Sequence, residues 1–170
     1  MPIDFFNEEC RSIYTYEYFG LCDDTDYPPD QPTPAYAIPY HEELWVATVE
    51  NANKNEITFV AVDHCVIKSI VNGEPRPQSC DCLIASKNEL IFVELKERKY
   101  RGWLSKGLAQ LESTIHLYNN NKQMPKFNTR KAYLANKARP DFKFTTITEK
   151  EQFKDNTDFE LYVDLFIPIN

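Results

Sequence analysis

Hydrophobic positions in this chain change period several times, and each change marks an element. Residues 3–19 set Phe5, Phe6, Cys10, Ile13 and Tyr16 at roughly helical intervals among Asn7, Glu8, Glu9 and Arg11, which predicts a short amphipathic helix. From 23 to 39, Asp23, Asp24, Asp26 and Asp30 accompany five prolines, a composition for an acidic irregular surface loop. Residues 44–49 and 57–66 are rich in β-branched and aromatic side chains around the polar stretch 51–55, the pattern of a β-hairpin. Asn72-Gly73, Pro75 and Pro77 signal another turn, followed by strands at 80–86 and 89–97 joined by Lys87-Asn88. At 103–118 the period switches: Leu104, Leu108, Leu111 and Ile115 form a helical stripe that ends at Asn119-Asn120-Asn121. A strand is expected at 131–135, before Pro140, and an edge or half-buried strand in the alternating tail 159–167.

The strands at 80–86 and 89–97 fix a register. If Lys87-Asn88 is a two-residue loop, Ser86 pairs with Glu89 and Asp81 lies directly across from Glu94. Lys96, two residues on, shares that face. The face also carries Leu83, Ala85, Leu90 and Phe92, while Cys82, Ile84, Ile91, Val93 and Leu95 occupy the other. Strands apolar on both faces lie inside a covered sheet, where two carboxylates and an ammonium cost several kcal/mol unless paired. Facing carboxylates either raise a pKa or take up a cation, and Mg²⁺ held by two carboxylates plus water or phosphate oxygens suits such a pair. A one-residue slip in register would remove the convergence.

At 170 residues the chain is read as one domain, 1–170, with an N-terminal helix and acidic loop (1–40), a core (41–136) and a C-terminal extension (137–170). The absence of a long apolar run and of a signal-peptide start points to a cytoplasmic address and no membrane contact. Five scattered cysteines argue for free thiols rather than disulfides. The net charge of −7 conceals an asymmetry. Residues 1–95 hold 5 Lys and Arg against 17 Asp and Glu, whereas 96–143 hold 12 against 3. Positive charge therefore begins at Lys96.

Ser79-Cys80-Asp81-Cys82-Leu83-Ile84 followed by Ile91-Phe92-Val93-Glu94-Leu95-Lys96 resembles the PD-(D/E)XK nuclease superfamily, with Cys80 where the family name places a proline. The resemblance implies an α/β fold: a mixed central β-sheet flanked by helices, with a restriction-endonuclease-like αβββαβ core. It implies Mg²⁺ (or Mn²⁺) held by Asp81, Glu94 and the backbone carbonyl of Leu95, with Lys96 assisting the attacking water and Gln110 on the next helix as a further catalytic residue. The family's additional acid would come from Glu43, Glu50 or Asp63. The expected activity is endo- or exonucleolytic hydrolysis of phosphodiesters, in DNA before RNA, by a metal-activated water.

Arg98, Lys99, Arg101 and Lys106, interleaved with Tyr100 and Trp103, suit contact with a phosphate backbone and its bases, and Lys122, Lys126, Arg130 and Lys131 would extend that surface. The alternative is a catalytically silent subunit of a defence or repair complex that binds nucleic acid or protein, a reading the acidic first half favours. A homodimer or larger complex is compatible with either. A zinc site from Cys65, Cys80, Cys82 and His64 is disfavoured, because Cys-x-Cys on a strand points both thiols into one apolar face. A nucleophilic pair of Cys65 or Cys82 with His41, His64 or His116 lacks local support. Four isolated glycines exclude a phosphate-binding P-loop at motif level.

Overall fold

The computed structural model describes residues 2–24, 32–68, 75–142 and 147–170. The Asn72-Gly73 turn and the centre of the acidic proline-rich loop, residues 25–31, lie outside the described residues. In chain order the strands and helices are β1 (Arg11–Tyr14), β2 (Tyr18–Cys22), β3 (Tyr36–Ile38), β4 (Ala47–Glu50), β5 (Ile57–Ala61), β6 (Cys82–Ala85), β7 (Glu89–Lys96), α1 (Trp103–Asn119), β8 (Thr129–Asn136), α2 (Ile147–Thr157), β9 (Glu160–Val163) and β10 (Phe166–Pro168). Single 3-10 turns occur at Glu8–Cys10 and Glu42–Leu44. The architecture is mixed α/β, and no helix is long and apolar enough to cross a membrane among the described residues.

Two mixed sheets stack face to face. The larger runs β1-β5-β6-β7-β8-β9 and the smaller β10-β4-β2-β3. In the larger sheet β6 runs antiparallel to both β5 and β7, and α1 then carries the chain to β8, parallel to β7. The spacing of apolar residues explains both coats of this sheet. Leu83, Leu90 and Phe92 pack with Leu111 and Ile115 of α1 on one side, and Ile84, Ile91 and Val93 pack with Phe19, Leu21 and Val49 of the smaller sheet on the other. The two-sided cover read from β6 and β7 is thus present. Gly107 lets α1 approach β8 closely, since a Cβ there would come within 2.6 Å of a Leu134 methyl.

Several expectations need correction. The N-terminal segment is not a helix: Asn7 caps one 3-10 turn, and the β-branched and aromatic run that follows pairs with β5. Ile13, counted on the apolar stripe, is 57% exposed. No α-helix precedes α1 among the described residues, so the leading helix of the expected core is missing from them. The strands of the expected 44–66 hairpin exist but do not pair. β4 joins β2 and β10, whereas β5 joins β1 and β6. The Asn51 side chain holds the corner, donating to the carbonyls of Tyr16 (3.2 Å) and Asn55 (2.8 Å) and accepting from the Asn55 amide (3.0 Å). The tail likewise splits: β9 extends the larger sheet, Asp164 turns the chain by accepting from the Phe166 amide, and β10 enters the smaller sheet. Helix α2 was not foreseen, because Phe153 and Thr157 are its only buried positions and a single apolar residue makes no stripe.

Cys10 and Cys65 form a disulfide, contrary to the expectation of free thiols. The bridge closes 55 residues and ties the N-terminal turn to the segment after β5. In the chain-entropy description such a loop contributes about 4 kcal/mol. We expect a dithiol reductant to lower the urea-unfolding free energy by an amount of that order in the wild type and by nothing in a Cys10→Ser/Cys65→Ser variant. Equal values with and without reductant in the wild type would remove the bridge from the native state in solution.

Candidate metal and acid/base site

The site forms where β6 begins and β7 ends. The ladder pairs Cys82 with Val93, Leu83 with Phe92, Ile84 with Ile91 and Ala85 with Leu90, and the Ser86 amide donates to the Glu89 carbonyl at 2.9 Å. This is the register read from the two-residue loop. Asp81 stands one position beyond the ladder, beside Glu94, and its Oδ2 accepts from the Leu95 amide at 2.7 Å. The carboxylate thus takes the place of a strand partner that β6 no longer supplies. Because the N–H and C=O of one strand residue face the same neighbour, the Leu95 carbonyl is turned toward that gap too.

Glu94 is 1% exposed and Asp81 9%. Lys96 Nζ lies 2.6 Å from Glu94 Oε1 and donates to Gln110 Oε1 at 2.7 Å. Gln110 Nε2 in turn donates to the Ser79 carbonyl at 3.3 Å, and Thr114, one turn further along α1, accepts from the Cys80 amide at 2.8 Å. Helix α1 therefore holds both Lys96 and the chain that carries Asp81. The other Glu94 oxygen, Oε2, is buried with no hydrogen-bond partner among the described residues. A buried, unsatisfied carboxylate oxygen is costly and is the atom a cation would satisfy.

The electrostatics agree with the burial. Desolvation pushes the Glu94 carboxyl up to about 7, against the favourable pull of Lys96, and the charges of Asp63 and Asp23 add to the rise. Asp81 is raised well above the usual carboxylate range, first by burial, then by Glu94 and Asp23. Among the described residues no three or more His, Cys, Asp and Glu side chains form a ligand cluster of their own. A hard divalent ion does not require one, since Mg²⁺ is commonly bound through one or two carboxylates with waters and substrate oxygens completing the shell. Asp81, Glu94 and the Leu95 carbonyl fit that donor set.

Of the three upstream acids, only Asp63 is near. It follows β5, accepts from Ser79 Oγ at 2.7 Å, pairs with Arg76 and lies 3.1 Å from His64 Nε2. Glu43 is an exposed partner of His41, and Glu50 belongs to the smaller sheet, where Tyr18 donates to it. Asp23, at the end of β2, is an acid that sequence reasoning did not select. Its proximity depends on the smaller sheet stacking on the larger, which no local pattern encodes.

Arg98, Lys99, Arg101 and Lys106 are exposed just beyond Lys96, and Tyr100 is 81% exposed. Trp103 is instead packed edge-on against Phe142. Lys131 does not extend this surface: it is buried and ion-paired with Glu89 at 2.7 Å. Lys122, Lys126 and Arg130 gather around a cavity past the far end of α1. The cysteine rivals also fall away. Cys65 is in the disulfide, and burial raises the thiols of Cys80 and Cys82 well above their usual range. Cys80 and Cys82 enter opposite apolar clusters rather than one, because the strand begins only at Cys82.

Asn136 is a second residue that sequence reasoning missed. Buried at the end of β8, it accepts from the amides of Arg98 and Ala138, both at 3.1 Å, and donates to the Arg98 carbonyl at 2.7 Å. Arg139 adds a bond to the Lys99 carbonyl at 2.7 Å, so the basic run leaves β7 on a fixed course. Asn136→Ala is expected to cost about 1–3 kcal/mol in urea unfolding. It should also accelerate amide exchange at Arg98. Unchanged exchange there would mean the clamp does not hold the segment.

Comparison with protein-family models, with curated proteins and with solved structures finds no match to this chain. Its functional reading therefore rests on its own geometry.

Proposed function

We propose that this protein is a metal-dependent nuclease that hydrolyses phosphodiesters, in DNA before RNA, at the Asp81–Glu94–Lys96 cluster. The observation that carries this reading is the buried Glu94 Oε2, without a partner among the described residues, beside Asp81 and beside an ammonium already held in place. Asp81, Glu94 and the Leu95 carbonyl would hold Mg²⁺ or Mn²⁺, which would polarise a phosphate oxygen and make a water nucleophilic near neutral pH. Glu94 and Gln110 take two of the three Lys96 donors, and among the described residues the third is left for the attacking water or a phosphate oxygen. The exposed run from Arg98 to Lys106 suits the flanking phosphates. The order β5-β6-β7-α1-β8, with the last two strands parallel, supports kinship with the βββαβ part of the PD-(D/E)XK core.

The test is incubation of purified protein with plasmid and with single-stranded DNA and RNA in Mg²⁺ or Mn²⁺, with Asp81→Asn alongside. Cleavage that needs both the ion and Asp81 is the expected result. No cleavage of any substrate, together with no thermal stabilisation by either ion, would reject the proposal in favour of a silent binding subunit.

A further inference from the structure

A cavity lies past the C-terminal end of α1, away from the candidate metal site. Its volume is about 780 Å³, within the range of small-molecule sites. Helix α1 has 17 residues, so its two ends are about 25 Å apart. Gln110, which holds Lys96, stands near its middle, so this cavity at the C-terminal end is about 13 Å further along the helix.

The walls are held by specific bonds. Tyr118 donates to the Pro125 carbonyl at 2.6 Å, Asn121 to the Ile3 carbonyl at 2.6 Å and Asn119 to the Thr157 carbonyl at 2.9 Å. The loop after α1 is thereby tied to itself, to the N-terminal segment and to α2. Such bracing gives a cavity formed before any ligand arrives, which lowers the ordering cost of binding.

Its chemistry is selective. Lys122, Lys126 and Arg130 line it with one acid, Asp158, whose charge is matched by Arg130 at 2.7 Å. Lys122 and Lys126 have no acidic partner among the described residues. Two ammonium groups without an acidic partner among the described residues favour a compact anion of more than one charge. The α1 carbonyl end opposes an anion, but its last turn is closed by the Asn120 and Asn121 amides. Met124 and Phe127 provide an apolar side to the same cavity, and Asn128 also lines it. A phosphate alone would leave that side unused.

We infer that this cavity binds a phosphomonoester carried on a nucleoside: the phosphate at Lys122 and Lys126, the base against Met124 and Phe127. Free nucleotides and phosphorylated strand ends share this chemistry. The inference does not depend on the metal site.

Calorimetric titration of the full chain tests it, with adenosine 5′-monophosphate, a 5′-phosphorylated dinucleotide, inorganic phosphate and adenosine as separate arms. We expect the two phosphorylated nucleosides to bind, the tighter one naming the source, and both phosphate alone and adenosine to bind about tenfold or more weakly. Lys122→Glu/Lys126→Glu should weaken nucleotide binding about tenfold or more with no change in melting temperature, and Lys126→Arg should retain it. Three results overturn the inference: no binding of either nucleotide at millimolar concentration, inorganic phosphate binding as tightly as the nucleotide, or unchanged binding in the charge-reversed variant. Because both lysines are exposed, misfolding is not expected to obscure the outcome.

Discussion

Lys96→Met is expected to reduce Mg²⁺-dependent DNA cleavage by a factor on the order of 10³, while the ion still raises the melting temperature. Groups that position a proton or stabilise developing charge contribute factors of about 10² to 10⁴. Lys96 has the geometry for such a role: it is fixed by Glu94 at 2.6 Å and Gln110 at 2.7 Å, with no third partner among the described residues. Methionine keeps the length and apolar stem of lysine, so packing along β7 should persist. Loss of the ammonium leaves a buried carboxylate without its cation, which destabilises the metal-free protein and makes the ion more valuable to the fold. A rate equal to wild type would remove Lys96 from the chemistry. Loss of both cleavage and metal-dependent stabilisation would make it a structural prop for the ligands.

The second large effect is on stability against pH. Burial holds the Glu94 carboxyl at about 7, above its ordinary value of 4.5, so between those values the folded chain keeps a proton that the unfolded chain has released. Stability of the metal-free protein must then fall as pH rises through that window, by on the order of 3 kcal/mol from this group. Asp81 is displaced in the same direction, so it adds to the fall. Glu94→Gln should flatten the curve between about pH 5 and 7, the window of this carboxyl. A bound divalent ion requires the ionised form, so saturating Mg²⁺ should cancel or reverse the slope, and metal affinity should drop on acidification below about pH 7. Urea unfolding across this range, with and without Mg²⁺, reads all three. A metal-free curve that rises with pH over the window would contradict the burial of an ionisable Glu94.

The legible part of this molecule was the part governed by local rules. Lys87-Asn88 set the loop, the loop set the register, and the register placed Asp81 beside Glu94 and Lys96. The stripe from Leu104 to Ile115 gave α1 within a residue of its observed end and, with it, the approach of Gln110 to Lys96. The failures share a cause in tertiary choice. Nothing near Asn51 says whether β5 turns back on β4 or crosses to another sheet, and nothing near Asp164 says that β9 and β10 part company. The helical spacing of residues 3–19 was overridden by pairing of β1 with β5 and by Phe5, which packs against Phe92 and Tyr118. Asp23 and Asn136 reach the site only through stacking and strand order, which single-sequence patterns do not carry. Cys10 and Cys65 meet for the same reason, 55 residues apart.

The most direct measurement is a crystal structure soaked with Mn²⁺ at about pH 8, above the titration of Glu94, with anomalous data at the manganese edge. An anomalous peak between Asp81 and Glu94, within coordination distance of Glu94 Oε2 and the Leu95 carbonyl, is the expected result. A map with Asp81, Glu94 and Lys96 well ordered but without manganese between the carboxylates would contradict the metal site and the nuclease reading built on it.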